Sequence, residues 1–495
     1  MKKSMLRGIL VSFAIALSAA WNTLPAQDLE PLEMPTVNED SVMKHIVELS
    51  SERYTGRLAG SAGYDEAVKY VSRMLRGYGA EVSLQGFTLE CNEVENCKFN
   101  TYIPGTKEKR VYTLGKEFCC AGMTGRGYVD AELVFCGFGS ANSQLDEFAG
   151  VDVQGKVVVL LSGLPEWRVE SGDHTSESLL REKARVAESH GAIGMIVVNL
   201  STSCLPDAPQ SRVYCGELPH LPTFPMLHAT LDCGRELLEG EKMALDSAVS
   251  RINRDRTACS FAIKKKVIID VNARYTPRAR TANVVGMLKG CDKRLSKEFI
   301  VVAASLDHAG IQGETCLFPG ADINASGVAA VLETARLLSQ QEYRPRRSVL
   351  FVLFSGSEQQ FLGSRQFISS FAKLGKIEAM VNLQNIGSGD SIVVLGGASY
   401  PSLYKMAKSH DEYGMIYTGN PEAELRGDAR AFDAVGIPSI VYTSLNGMHN
   451  NHVSSDIWEN IDRRLLRMTT QSAVETVREV ADGYYQGRRI KSRRR

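Results

Sequence analysis

Phe299-Ile-Val-Val-Ala-Ala-Ser-Leu-Asp307, Gly320-Ala-Asp-Ile-Asn-Ala-Ser-Gly-Val-Ala-Ala330 and Arg347-Ser-Val-Leu-Phe-Val-Leu-Phe354 decide the fold of this 495-residue chain. The first and third are short, nearly continuous apolar runs, and the text between them, residues 324–341, has helical spacing. Apolar strands joined by a helical crossover predict a mostly parallel sheet with helices on both faces. Two more strands follow at 379–383 and 438–443, with a helix at 362–374. In such a sheet the ligand site lies beyond the carboxyl ends of the strands. The residues that fall there are 305–308, Ser357 with Glu358, and Gln384 with Asn385.

Outward from this block the pattern changes. Residues 40–51 and 63–79 read as helices, the second with Ala67, Val68, Val71, Met74 and Leu75 on one face. From 120 to 265 short strands at 131–136, 156–161 and 192–200 surround a charged helix at 176–190, which predicts an inserted, β-rich domain. Lys2, Lys3 and Arg7 before an apolar stretch too short to span a bilayer predict an export signal over 1–26. The expected organisation is therefore signal 1–26, first part of the main domain 27–119, insert 120–265, second part 266–486 and a basic tail 487–495.

The formal charge of zero conceals an asymmetry. Three basic residues lie in the signal and six in the tail, so residues 27–487 carry 48 basic against 57 acidic side chains, about −9. That balance argues against nucleic acid as a partner, and no later apolar run is long enough to span a membrane. Eleven cysteines lie between Cys91 and Cys316; export predicts some disulfides, with Cys91/Cys97 and Cys204/Cys215 as local candidates. Neither zinc-finger spacing nor a Gly-x-Ser-x-Gly elbow is present: Gly356-Ser-Glu-Gln lacks it, and Gly137-Phe-Gly139 opens no dinucleotide-binding helix.

Several segments in order resemble metallopeptidase family 28, the co-catalytic zinc aminopeptidases. They are Gly56-Arg-Leu-Ala-Gly-Ser61, the three runs quoted first, Leu362-Gly-Ser364, Gly436-Ile-Pro438 and His452-Val-Ser-Ser-Asp456. Gly155-Lys-Val-Val-Val-Leu160 and Gly191-Ala-Ile-Gly-Met-Ile-Val-Val198 resemble a protease-associated domain, a frequent insert in that family.

The resemblance implies a two-zinc site, but residue by residue most of it is replaced. Ser305 stands where a ligand histidine is expected, Ile323 where an aspartate bridges both metals, Ser357 where a glutamate is general base, and Gln384 where a further aspartate binds metal. Glu358 and His452 are retained at ligand positions, and Asp307, the catalytic-motif aspartate two residues after Ser305, is retained as well. His308 and Asp322 are the nearest substitutes. Two dications close together need anionic ligands to offset their repulsion, and one carboxylate ligand in place of three leaves a two-metal site untenable. The expectation is an exported family member impaired in catalysis, with no cofactor or at most one zinc, acting as a peptide- or protein-binding or scaffold module. The alternative is a metal-dependent aminopeptidase with a reduced site.

Overall fold

The computed structural model describes residues 36–171, 180–200, 219–340, 343–371, 375–411, 414–417, 425–447 and 452–485. The predicted signal, the basic tail, Cys204, Cys215 and His449 lie outside them.

The long strands are β1 (Glu81–Tyr102), β2 (Gly127–Phe135), β3 (Val157–Leu161), β4 (Gly194–Val198), β5 (Met226–Ala229), β6 (Phe261–Leu288), β7 (Glu298–Ser305), β8 (Ser348–Phe354), β9 (Lys376–Leu383), β10 (Ser391–Leu395) and β11 (Ser439–Leu445). One sheet runs in the order β10-β11-β9-β7-β8-β6-β2-β3-β4-β5. The pairs β7/β8, β7/β9 and β9/β11 are parallel, with Ser305 opposite Phe354 at the carboxyl end. Every residue of β8 is buried, which is why its sequence shows no alternation. Helices Glu39–Leu49, Ala62–Gly77, Gly327–Leu338 and Arg463–Ala481 cover this part and share one apolar core with it. Asn38, Ser61 and Asp462 cap three of them through side-chain oxygens.

The insert shares the sheet but keeps apolar clusters of its own. Its parallel strands β2 to β5 carry helices Leu180–Ser189, Leu231–Leu237 and Leu245–Asp255 beside them. The continuity comes from β6, whose 28 residues pair with β2 near the start, with β1 along most of their length and with β8 at the end. Both sequence-drawn borders of the insert fall inside strands, Phe118–Cys120 and β6.

The local disulfide expectation fails at Cys91/Cys97. Both lie on β1, six residues apart, so their Cα atoms are roughly 18–20 Å apart, while a disulfide needs about 4.4–6.8 Å. Cys119 and Cys120 are fully buried thiols in a short strand.

Candidate metal and ligand site

The residues after β7, β8 and β9 meet at one mouth of the sheet, and a buried cation fixes the loop that follows β7. Arg57 is fully buried. Its Nε donates to Leu306 O at 3.0 Å, Nη1 to Leu49 O and to Pro319 O at 2.8 Å, and Nη2 to Gly320 O at 2.9 Å. In return His308 N donates to Arg57 O at 3.0 Å, and Gly310 N to Gly56 O at 2.9 Å. Gly56 must be glycine for this approach: its φ is +68°, and a Cβ there would stand 2.1 Å from Gly310 O. Burial draws the Arg57 guanidinium down to about 10, opposed by the Asp456 and Asp307 carboxylates, so it stays charged at neutral pH.

Three side chains converge at this mouth. One ligand-capable atom from each of His308, Glu358 and His452 lies within 4.8 Å of the other two. Glu358 sits in the turn after β8 and is half-buried; His452 is half-buried with φ +64°; His308 is wholly buried. The two imidazoles stack 5.1 Å apart with planes 15° from parallel. His452 Nε2 stands 2.7 Å from Glu358 Oε2, yet neither nitrogen of His452 is aligned for a hydrogen bond. Both ring nitrogens of His308 also lack a hydrogen-bond partner among the described residues. Burial, with His452 and Arg57 adding to it, holds His308 well below the usual imidazole range, so its lone pair is free.

Asp307 lies behind this cluster. Its Oδ1 accepts from Ser357 N at 3.1 Å and Ser357 Oγ at 2.9 Å. Burial and the Glu358 charge push its carboxyl up to about 7. Ser357, at the place of the expected general base, is thus an orienting donor to Asp307.

The other sequence-derived positions are closed by neutral structure. Ser305 Oγ donates to Asp428 Oδ2 at 2.8 Å. Ile323 is a buried hydrocarbon whose N–H donates to Asp456 Oδ2 at 3.0 Å. Gln384 follows β9 with its N–H bonded to Tyr442 O at 3.0 Å. Asn324 bridges these last two places, its Nδ2 donating to Leu383 O at 2.9 Å and its Oδ1 accepting from Asn385 N at 3.0 Å. Asp322 corrects the sequence reading of it as a substitute ligand. Its Oδ1 accepts from Gly387 N at 2.7 Å and Ser326 Oγ at 3.2 Å, and its Oδ2 from Ser388 Oγ at 2.6 Å. It is a loop clasp, outside the converging trio.

Reading the sequence alone missed Arg57, Asp428 and Asp456 as parts of the site. Asp456 Oδ1 accepts from Asp322 N at 2.8 Å, and burial beside Asp322 raises its carboxyl to about 7. Asp456 closes the quoted His452 segment, and Arg57 stands in the quoted glycine-rich opening, so both were within reach. Asp428 carries no such signal.

The donor set is two imidazoles and one carboxylate, which suits one zinc-like ion.

Comparison with known proteins agrees with this architecture. Solved structures of similar fold include an aminopeptidase from Aneurinibacillus sp. strain AM-1, with TM-score 0.63, 21% identity and coverage of 92% of this chain and 96% of that one. A second is a zinc aminopeptidase from Bacillus subtilis, with TM-score 0.64, 18% identity and coverage of 92% and 98%. Among curated relatives, a probable leucine aminopeptidase of Trichophyton verrucosum is 29% identical over 180 residues, 34% of this chain and 50% of the relative. The chain therefore spans about half the length of that relative. An aminopeptidase of Pseudomonas aeruginosa is 25% identical over 383 residues, 72% of this chain and 60% of its own. Residues 129–230 match the PA domain and 283–477 match peptidase family M28, so the chain carries a family M28 peptidase domain with a PA domain inserted.

Proposed function

We propose that this is an exported M28-fold protein that does not run the two-metal aminopeptidase reaction and uses its sheet mouth to recognise the amino-terminal end of peptides or proteins. The carrying observation is Ile323, 8% exposed, at the place of the bridging carboxylate. Without that carboxylate, nothing screens one dication from another at the roughly 3.5–4 Å spacing of two-metal sites. The base position is Ser357, whose hydroxyl is committed to Asp307. Glu358 offers a carboxylate with limited solvent access for a free amine, and the segment flanking the insert closes against the same mouth, since Ser454 Oγ donates to Gly115 O at 3.4 Å. No helix among the described residues is long and apolar enough to cross a membrane.

The second reading, a metal-dependent aminopeptidase with a reduced site, is favoured by the convergence of His308, Glu358 and His452. Hydrolysis of leucine p-nitroanilide in the presence of added zinc separates the two. The expected result is no turnover above buffer background. In parallel, calorimetry with Leu-Gly-Gly and its N-acetylated form should show binding that weakens at least about tenfold on acetylation. Zinc-dependent turnover, or equal binding of both peptides, overturns the proposal.

A further inference from the structure

We propose that His308, Glu358 and His452 hold one divalent cation of zinc's chemistry, with His308, a residue the family resemblance does not carry over as a ligand, recruited to complete the site. His308 is fully buried, and neither Nδ1 nor Nε2 has a hydrogen-bond partner among the described residues. Leaving a buried polar nitrogen unpaired costs about 1–3 kcal/mol, so native structures rarely do it without a function.

The backbone is also shaped around this ring. Gly320 has φ +59°, and a Cβ there would stand 2.5 Å from His308 Cδ2 and 2.4 Å from Ile323 O. The loop thus uses a left-handed glycine to seat the imidazole, while Arg57 holds the carbonyls of Pro319 and Gly320 from the far side.

The partners have matching geometry. Ligand atoms of all three lie within 4.8 Å of one another. His452 Nε2 and Glu358 Oε2 approach to 2.7 Å without the alignment of a hydrogen bond. Tetrahedral ligation would set these two atoms roughly 3.3 Å apart, so the pair opens slightly to admit an ion. The stacked rings must turn to share an ion, and the terminal torsion of an imidazole is soft.

Ligand chemistry selects the ion. Two imidazole nitrogens and one carboxylate form the His₂Glu set of one-zinc sites that keep a fourth position open. Calcium and magnesium favour all-oxygen shells, and no thiol belongs to the cluster.

The test uses the full chain, stripped with a chelator and titrated with Zn²⁺ against a chromophoric competitor. One ion per chain is expected. His308→Asn should weaken binding by at least about a hundredfold, since even supporting residues around a metal shift affinity 10–100-fold. His452→Asn, at a half-exposed position, serves as a second variant if the buried one folds poorly by circular dichroism. His410→Asn, at a histidine held by Glu475 and Glu479, should leave affinity unchanged.

No retained zinc, or affinity indifferent to both His308→Asn and His452→Asn, overturns this site and leaves the function proposed above standing. Two ions per chain overturn both. One ion together with aminopeptidase turnover supports the site and overturns the non-catalytic function.

Discussion

On one side of the sheet mouth His308, Glu358 and His452 crowd together, and among the described residues no ring nitrogen of the two histidines makes an aligned hydrogen bond. On the other, Ser305, Ile323 and Asp322 are bonded into the protein itself, to Asp428, Asp456 and the Gly387–Ser388 turn. Both sides carry buried acids, so burial alone does not separate them. What differs is the compensation. The closed side answers its carboxylates with backbone N–H groups, hydroxyls and protonation, with Asp428 raised to about 6 and Asp456 to about 7. The open side leaves two imidazoles and one carboxylate facing each other, an arrangement a cation completes. On the function proposed above the two sides differ in kind: one is closed by hydrogen bonds within the protein, and the other presents donor groups that suit a cation.

The largest expected effect comes from removing the cation common to both sides. Arg57→Ala leaves the carbonyls of Leu49, Leu306, Pro319 and Gly320 without their donor and removes the charge near Asp307 and Asp456. Breaking a buried charge network of this kind costs about 3–5 kcal/mol. Urea unfolding should show that loss, or the variant should fail to accumulate as folded protein. A loss below about 1 kcal/mol would mean that Arg57 does not organise the mouth.

Next in size is an attempt to reopen the closed side. Ile323→Asp alone places an unpaired carboxylate at a buried site and should destabilise by about 2–4 kcal/mol at pH 7. Ser305→His, Ile323→Asp, Ser357→Glu and Gln384→Asp introduced together should raise zinc stoichiometry to two and recover part of that stability when zinc is added, because binding to the folded state alone stabilises it. If the combined variant folds and zinc restores nothing, the four positions do not face a common site.

These contrasts show what the sequence could carry. Strand 348–354 was legible to the residue, because a run buried on both faces needs no partner to be recognised. The long ribbon of β1 and β6 was not, since Arg274, Arg278 and Arg280 break any apolar run there, and only the 28-residue strand shows that one element joins both cores. At the site, Glu358, His308 and His452 follow or flank apolar strands and could be named. Arg57 stood inside the quoted Gly56–Ser61 segment but was passed over, because a lone arginine ordinarily reads as surface. Asp428 lies 123 residues from the Ser305 hydroxyl it accepts from, and no local pattern announces a pairing made by folding. The convergence of His308 with the retained ligands belongs to the same class: it depends on the Gly320 turn bringing a loop against the ring.

The smallest effect concerns Asp428 on the closed side. Burial raises its carboxyl from 3.8 to about 6, opposed by hydroxyls of Ser305 and Ser364, and its Oδ1 lacks a hydrogen-bond partner among the described residues. Because the folded value lies above the unfolded one, the folded state holds the proton more tightly. The associated stability is present below about pH 4 and is lost as pH rises through 6. A shift of this size corresponds to at most about 3 kcal/mol, and relaxation around the group lowers the expected figure to about 1–2 kcal/mol. Asp428→Asn keeps the shape and an acceptor for Ser305 while removing the titration. Urea unfolding of metal-free protein at pH 4.5 and 7.5 should show wild type losing about 1–2 kcal/mol more than Asp428→Asn over that interval. Asp307 and Asp456 titrate with the same sign in both proteins, so the difference isolates Asp428. Equal slopes would show that this carboxyl ionises without cost, and that the closed side is wetter than its hydrogen bonds imply.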